Sequence, residues 1–209
     1  MLQSILQSLT QPLFPCQLCG IDAQQQHSLC NDCWNQLPWM KEHIYKHERK
    51  IQVALSYQFP INRIIQCYKY EQQLHYQRLL TQCFLTLRYA KVQAIVAMPI
   101  SEQRLVERGY NQMLIIAHQL SKHLKIPVWQ PVIRLAQHSQ KGLTRVERMQ
   151  NIDAQFHMIK TERRKYRKVL MIDDVVTTGS SIHALAQTLE NLGCQQIEIA
   201  CIAAAQHST

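Results

Sequence analysis

The chain opens with apolar residues at helical spacing: Leu2, Ile5, Leu6 and Leu9 fall at i, i+3, i+4 and i+7, the stripe of a short amphipathic helix. With only about two turns and no basic face, such a helix suits packing on the protein body better than lying on a membrane. From about residue 50 the pattern changes. KIQVALSY at 50–57 predicts a strand, and residues 60–88 carry helical spacing through Ile64, Ile65, Leu74, Leu79, Leu80 and Phe84. AIVAM at 94–98, closed by Pro99, predicts a buried strand. A helix is predicted over 102–124 with Leu114, Ile115, Ala117 and Leu120 facing inward, and a further strand within 127–135. Residues 136–151 are polar. A strand at 168–172, a helix at 180–192 and a strand at 197–203 complete the chain. Strands alternating with helices predict an α/β fold with a mostly parallel sheet flanked by helices. The change of pattern divides the chain into an N-terminal module, 1–45, and a main domain, 46–209.

Composition narrows the class. The 209 residues are 46% hydrophobic with five Gly and seven Pro, enough to bury a substantial core, which excludes disordered and fibrous proteins. An apolar run of about 18 residues is absent, and no Lys or Arg precedes Lys41, so neither a membrane span nor a charged secretory leader is expected, and the expectation is a cytoplasmic protein. A net charge of +9 favours an anionic partner without choosing among nucleic acid, phosphate-bearing small molecules and membrane surfaces.

Four of the eight cysteines lie close together. Cys16 and Cys19, then Cys30 and Cys33, form two CxxC knuckles separated by ten residues, a spacing that lets four thiolates converge on one zinc ion. Gly20 supplies the turn that follows the first knuckle. Paired disulfides and redox chemistry are the alternatives, and a reducing compartment disfavours the disulfides. Four thiolates leave no open coordination position, so the expected Zn²⁺ is structural. Cys67, Cys83, Cys194 and Cys201 stand in apolar contexts and read as small core residues.

The sharpest chemical signal follows the strand at 168–172. Asp173 and Asp174 are succeeded by Val175, Val176, Thr177, Thr178, Gly179, Ser180 and Ser181 at the start of the next helix. A glycine among small hydroxyl residues at a helix N-terminus leaves backbone N–H groups free for a phosphate. Two carboxylates beside it would repel that phosphate and must serve another part of the ligand, sugar hydroxyls or a cation. A phosphorylated sugar satisfies both halves.

The segment VLMIDDVVTTGSS (169–181) resembles the phosphoribosyl pyrophosphate (PRPP) motif of type I phosphoribosyltransferases. MPISEQRLVERGYNQ (98–112) is similar to the pyrophosphate-loop region of the competence protein ComF (ComFC) family. The segment from Arg134 to Phe156, with QKGLTRVER at 140–148 and Asn151, and the preceding CxxC pair resemble that family too. The resemblance covers nearly the whole chain and implies a type I phosphoribosyltransferase-like domain behind a small four-cysteine zinc finger. It implies that Asp173 and Asp174 form a catalytic pair holding the ribose 2′ and 3′ hydroxyls, that the amides and hydroxyls of Thr177 to Ser181 hold the 5′-phosphate with Val175 and Val176 in the same PRPP-binding motif, and that Pro99, Ile100 and Ser101 lie against pyrophosphate with Mg²⁺. Arg104 and Arg108 are candidates for neutralising the leaving pyrophosphate, or are solvated helix positions. Lys141, Arg145 and Arg148 fall on the segment that serves such enzymes as a lid. No segment announces a nucleobase pocket, and Ser101, Glu102 and Gln103 stand where many relatives are more basic, so PRPP binding is better supported than turnover.

The family's association with natural transformation implies handling of imported single-stranded DNA, with a competence helicase and recombination-loading proteins as partners. Lys160, Arg163, Arg164, Lys165, Arg167 and Lys168 make a dense basic run around Tyr166, and Lys141, Arg145 and Arg148 add to it. Such groups can follow a nucleic-acid backbone while aromatics, including Tyr110, Trp34 and Trp39, stack bases. Two other readings stand beside this one: a Mg²⁺-dependent phosphoribosyltransferase of nucleotide metabolism, and an adaptor whose zinc module docks a helicase.

Overall fold

The computed structural model describes residues 13–135, 156–159, 162 and 165–205. The stripe Leu2, Ile5, Leu6 and Leu9 and the basic residues Lys141, Arg145, Arg148, Lys160, Arg163 and Arg164 lie outside the described residues. No described helix is long and apolar enough to cross a membrane.

Five strands form one sheet: β1 (Trp39–Lys46), β2 (Arg49–Ser56), β3 (Ala94–Ala97), β6 (Lys168–Val176) and β7 (Gln196–Ala204), in the order β1-β2-β7-β6-β3. β1 and β2 are an antiparallel hairpin, whereas β2, β7, β6 and β3 run parallel. β3 and β6 are near-continuous apolar runs because both of their faces are covered. Helices α3 (Gln77–Leu85) and α5 (Gln112–Leu124) pack together on one side, and α6 (Ser180–Asn191) packs on β6 and on the two-stranded ribbon of β4 (Val132–Arg134) and β5 (Phe156–Met158). The sheet is therefore mostly parallel and flanked by helices, as the alternation predicts.

Several elements differ from the periodicity. The single helix predicted over 60–88 is divided into α2 (Ile61–Tyr70), a 3₁₀ turn at Leu74–Tyr76 and α3, because the polar residues Glu71 to Gln73 interrupt the apolar stripe and Gln72 takes φ +54°. The helix predicted over 102–124 turns a corner. Its first part, α4 (Glu102–Arg108), ends on Gly109 at φ +79°, and Asn111 caps α5 by accepting from Met113 and Leu114 N–H at 2.9 and 3.3 Å. The strand predicted within 127–135 is confined to β4, with Val128 making one isolated bridge to Ile95. β5 is too short to leave a period-2 signal. β1 also escapes the apolar pattern, since its outer position exposes Lys41, Glu42 and His43, as suits a sheet edge.

β1 begins before residue 46 and belongs to the main sheet. The N-terminal knuckles join the same core: Cys16, Leu29, Cys30 and Leu37 are buried in one cluster with the sheet residues. Cys67, Cys83, Cys194 and Cys201 are buried there as small core side chains.

Candidate functional site

At the cysteine knuckles, backbone turns deliver four thiols to one point. The first knuckle closes with Gly20 N–H donating to Cys16 C=O at 2.9 Å, with Gly20 at φ +70°. The second begins the short helix α1 (Asn31–Asn35), for which Cys30 is the cap. Leu18, Ile21 and Cys33 N–H groups donate to the sulfurs of Cys16, Cys19 and Cys30 at 3.4–3.5 Å. All four Sγ atoms lie within 4.8 Å of one another, and Cys19 and Cys30 Sγ are 3.9 Å apart. Tetrahedral ligation at a Zn–S length of about 2.3 Å requires sulfurs about 3.8 Å apart, so the cluster fits a four-thiolate metal such as zinc. Burial opposes ionisation of Cys16, but amide hydrogen bonds outweigh it and lower the thiol to about 6. Among the described residues this is the only cluster of three or more metal-ligating side chains.

The second site lies at the carboxyl ends of the parallel strands, where open α/β sheets bind ligands. β6 continues through Val176, so Asp173 and Asp174 are strand residues and alternation separates their surroundings. Asp174 is buried, and its carboxylate accepts from Lys69 Nζ of α2 at 2.7 Å, from Gln112 Nε2 of α5 at 3.0 Å and from Val175 N–H at 2.7 Å. Burial works against the charge on Lys69, but Asp174 holds its pKa above the ordinary value. Asp173 is only partly buried and accepts from Asp174 N–H at 2.9 Å. Burial and the Asp174 charge push its carboxyl up to about 7, against the pull of Lys69 and Arg134.

The RGYNQ segment braces this arrangement. Arg108 lies 4.7 Å over the Tyr70 ring and donates to Gln112 Oε1 at 3.0 Å, and Gln112 passes the connection to Asp174. Asn111 Nδ2 donates to Met98 C=O at 3.1 Å, and the Tyr110 hydroxyl donates to Tyr68 C=O, which ties the 98–112 segment to α2.

Beyond β6 the chain turns through exposed Thr177 and Thr178 to Gly179, which precedes α6 at φ +82°. A Cβ on Gly179 would lie 2.6 Å from Lys46 Cβ, so the tip of the β1–β2 hairpin forms a wall against this turn. Arg49 holds the hairpin there through a bidentate pair with Glu190, and the rings of His47 and His183 are 5.2 Å apart. Thr178 and Ser180 hydroxyls lie 3.0 Å from each other, and Arg134 of β4 donates to Ser181 Oγ at 3.1 Å. Arg134 also meets Ser101 through a backbone bridge, and Arg134, Arg104 and Ser101 line one cavity of about 250 Å³. Burial and the nearby Arg104 lower the Arg134 pKa, although the guanidinium remains a cation. Two arginines, a row of hydroxyls and a half-open carboxyl thus converge where an anionic, hydroxylated ligand can be held. Beside them a largely apolar cavity of about 720 Å³ is lined by Pro99, Ile100, Tyr110, Leu114, Gln130 and Val132, among others.

Sequence reasoning singled out Asp173, Asp174, Pro99 to Ser101 and Val175 to Ser181, and the structure brings these segments together at one edge of the sheet. Lys69 was missed: an isolated lysine has no local signature, and its partner is 105 residues away. Arg134 enters the sequence reading only as the first residue of the 134–156 segment, with no role of its own. Lys165, Tyr166, Arg167 and Lys168 lie at the amino end of β6, opposite this site. Tyr166 is half-buried with its ring in edge contact with Trp129 at 5.3 Å, whereas the three cations are exposed.

A mostly parallel sheet with a hydroxyl-rich turn after an interior carboxylate-bearing strand places this protein in the phosphoribosyltransferase class of fold, and residues 114–209 match the phosphoribosyl transferase domain family. The chain belongs to the competence protein F family. It is 32% identical over 199 residues to Competence protein F of Haemophilus influenzae, a match covering 89% of this chain and 83% of that protein. It is 26% identical to the DNA utilization protein YhgH of Escherichia coli, over 90% of this chain and 82% of that one. Among solved structures, a purine phosphoribosyltransferase from Pyrococcus horikoshii is similar over 74% of this chain and 77% of its own, with 18% identity and a TM-score of 0.34.

Proposed function

We propose that this protein acts in natural transformation, handling single-stranded DNA in the cytoplasm, and that its transferase-like cleft holds PRPP or a related phosphosugar. Membership of the competence protein F family supports the DNA role. The observation that carries the phosphosugar reading is the convergence of Asp173, the Thr177–Ser181 hydroxyls, Arg134 and Arg104 at the carboxyl edge of the sheet. In this reading Asp173, with Asp174 behind it, receives the ribose hydroxyls, the turn from Val175 to Ser181 receives the 5′-phosphate, and Pro99, Ile100 and Ser101 face pyrophosphate with Arg104 and Arg134 as its cations. Arg108 acts through Gln112 rather than on the ligand. Mg²⁺ bound with PRPP would be faced by Asp173 and would supply charge neutralisation. Zinc at Cys16, Cys19, Cys30 and Cys33 would be structural. DNA would run over Lys165, Arg167 and Lys168 with the neighbouring cations of 160–164 and Lys141, Arg145 and Arg148, and a helicase or recombination-loading protein would take it onward.

Calorimetric titration of one preparation with PRPP and Mg²⁺, and with single-stranded DNA, tests both halves. PRPP binding that weakens at least tenfold in the Asp173→Asn, Arg134→Gln double variant is expected, and unchanged binding overturns the site. Absence of DNA binding at low salt overturns the other half. The domain match also favours a second reading, a working phosphoribosyltransferase of nucleotide metabolism. Pyrophosphate release from PRPP in the presence of a nitrogen acceptor, lost in the Asp173→Asn variant, would establish it.

A further inference from the structure

The helices α3 and α5, which face each other on one side of the sheet, contain no carboxylate. The stretches that contain them, 72–101 and 108–146, are free of Asp and Glu altogether. Between the two helices lies a cleft of about 500 Å³ walled by Arg78, Lys122 and His123, with the amides of Gln26, Gln82 and Gln119 and the side chain of Thr81 completing its lining. No acidic group lines it, and Arg78, Lys122 and His123 are exposed. Gln119 Nε2 donates to Gln77 Oε1 at 2.7 Å, which pins α5 to α3 and fixes the floor of the cleft.

Gln26 comes from the cysteine module, so the cleft marks where that module meets the main body. The aromatic groups of the module begin at the next residue. The His27 ring is stacked on Trp34 at 4.0 Å, Trp34 meets Trp39 edge-on at 4.7 Å, and the Lys41 ammonium lies 4.7 Å over Trp39. A polar cleft of cations and amides beside half-buried aromatics does not suit a lipid surface, which needs an exposed apolar face. It suits a flexible polyanion that carries flat rings, since cations can track phosphates while aromatics receive bases.

We infer that this cleft and the adjoining His27–Trp34–Trp39 edge form a track for single-stranded nucleic acid, with Arg78 and Lys122 on its phosphates. The inference rests on the DNA-handling reading and deepens it by naming a surface. α5 begins at Gln112, bonded to Asp174, and runs away from the carboxyl edge, so Lys122 and His123 in its last turn stand toward the amino ends of the strands. The cationic end of the track is therefore on the far side from the phosphosugar cleft and on the same edge as Lys165, Arg167 and Lys168, whereas Trp39, paired with Leu55, stands level with the carboxyl ends on the outer strand, three strands from β6. The two ligands bind without excluding each other.

Fluorescence anisotropy with a labelled oligodeoxythymidylate over a potassium chloride series tests this on the full chain. Each phosphate contact contributes about 0.7 to the slope of log K against log salt for single strands, so the Arg78→Gln, Lys122→Gln double variant should have a slope shallower by about 1.4. A charge-retaining Arg78→Lys, Lys122→Arg variant should keep the wild-type slope. Both pairs are on exposed helix positions, and an unchanged circular dichroism spectrum and thermal midpoint confirm that folding is intact. If the wild type binds and the double variant keeps its slope, the track is wrong and the DNA-handling reading survives. If the wild type does not bind, the reading itself fails. Saturating PRPP with Mg²⁺ should leave the affinity for the oligomer unchanged, and competition would overturn the separation of the two surfaces.

Discussion

Asp173 and Asp174 are adjacent in sequence yet experience different surroundings. Strand alternation sends Asp174 to the side of α2 and α5, where a lysine and an amide hold it, and leaves Asp173 partly open on the side of Arg134. An aspartate in the unfolded chain ionises near pH 4, whereas Asp173 in the folded protein ionises at about 7. Between those values the folded state binds the additional proton, so this residue lowers stability progressively as pH rises from about 4 to 7 and by a constant amount above. Asp173→Asn is therefore expected to stabilise the ligand-free protein at pH 8, on the order of 2 kcal/mol, about half of the full linkage value because the carboxyl is partly exposed. The gain should vanish below about pH 4. Thermal midpoints of wild type and variant across that range check it, and parallel curves would show that the proton is not held there. The carboxylate pair was legible from its place before a hydroxyl-rich turn. Its asymmetry was not, because alternation acts on the final strand boundary, and the strand extends to Val176 rather than stopping at Ile172.

At the scale of elements, the carboxyl edge is assembled by pieces distant in the chain, and this explains what the sequence concealed. The long stripes over 60–88 and 102–124 are each compatible with one helix, and the breaks come from single residues, Gln72 and Gly109, whose left-handed backbone permits a turn. The corner at Gly109 is what lets Arg108, Tyr110, Asn111 and Gln112 reach three different elements. Breaking the helix aims Gln112 at Asp174, and ending α2 at Tyr70 leaves Lys69 within 2.7 Å of the same carboxylate. A buried ion pair of this kind contributes little net stability, but removal of one partner strands the other. Lys69→Met should destabilise the fold by about 3 kcal/mol, and adding Asp174→Asn should recover most of that loss. Urea unfolding of the two single variants and the double variant measures the coupling, and simple additivity would mean that Lys69 supports α2 in some other way. The same reasoning explains why β1 escaped the apolar pattern: an outer strand carrying Lys41, Glu42 and His43 resembles a loop until its partner is known.

Across the whole molecule, the groups suited to the anionic ligands that the charge of +9 favours divide between two edges of one sheet. Hydroxyls and arginines gather at the carboxyl ends, and the acid-free α3–α5 face carries Lys122 and His123 toward the amino ends. The cysteine module adjoins the second of these and also reaches the core. Leu29 and Leu37, with Cys16 and Cys30, are buried in the cluster that contains the sheet, and Ser56 N–H of β2 donates to Pro38 C=O at 2.8 Å. This continuity determines how the protein should respond to loss of a metal held by the four thiolates. Without four thiolates held together, the turns that bury these residues lose their anchor, and two leucines alone account for roughly 3–6 kcal/mol of burial. Chelation in reducing buffer is expected to lower the thermal midpoint of the entire domain by roughly 10 °C while keeping one cooperative transition. The Cys30→Ser, Cys33→Ser variant should behave likewise and be insensitive to chelator. A calorimetric trace that instead gains a separate low-temperature transition, with the main one unmoved, would show that the module folds apart from the sheet, and that its place beside the α3–α5 cleft is not secured by the shared core.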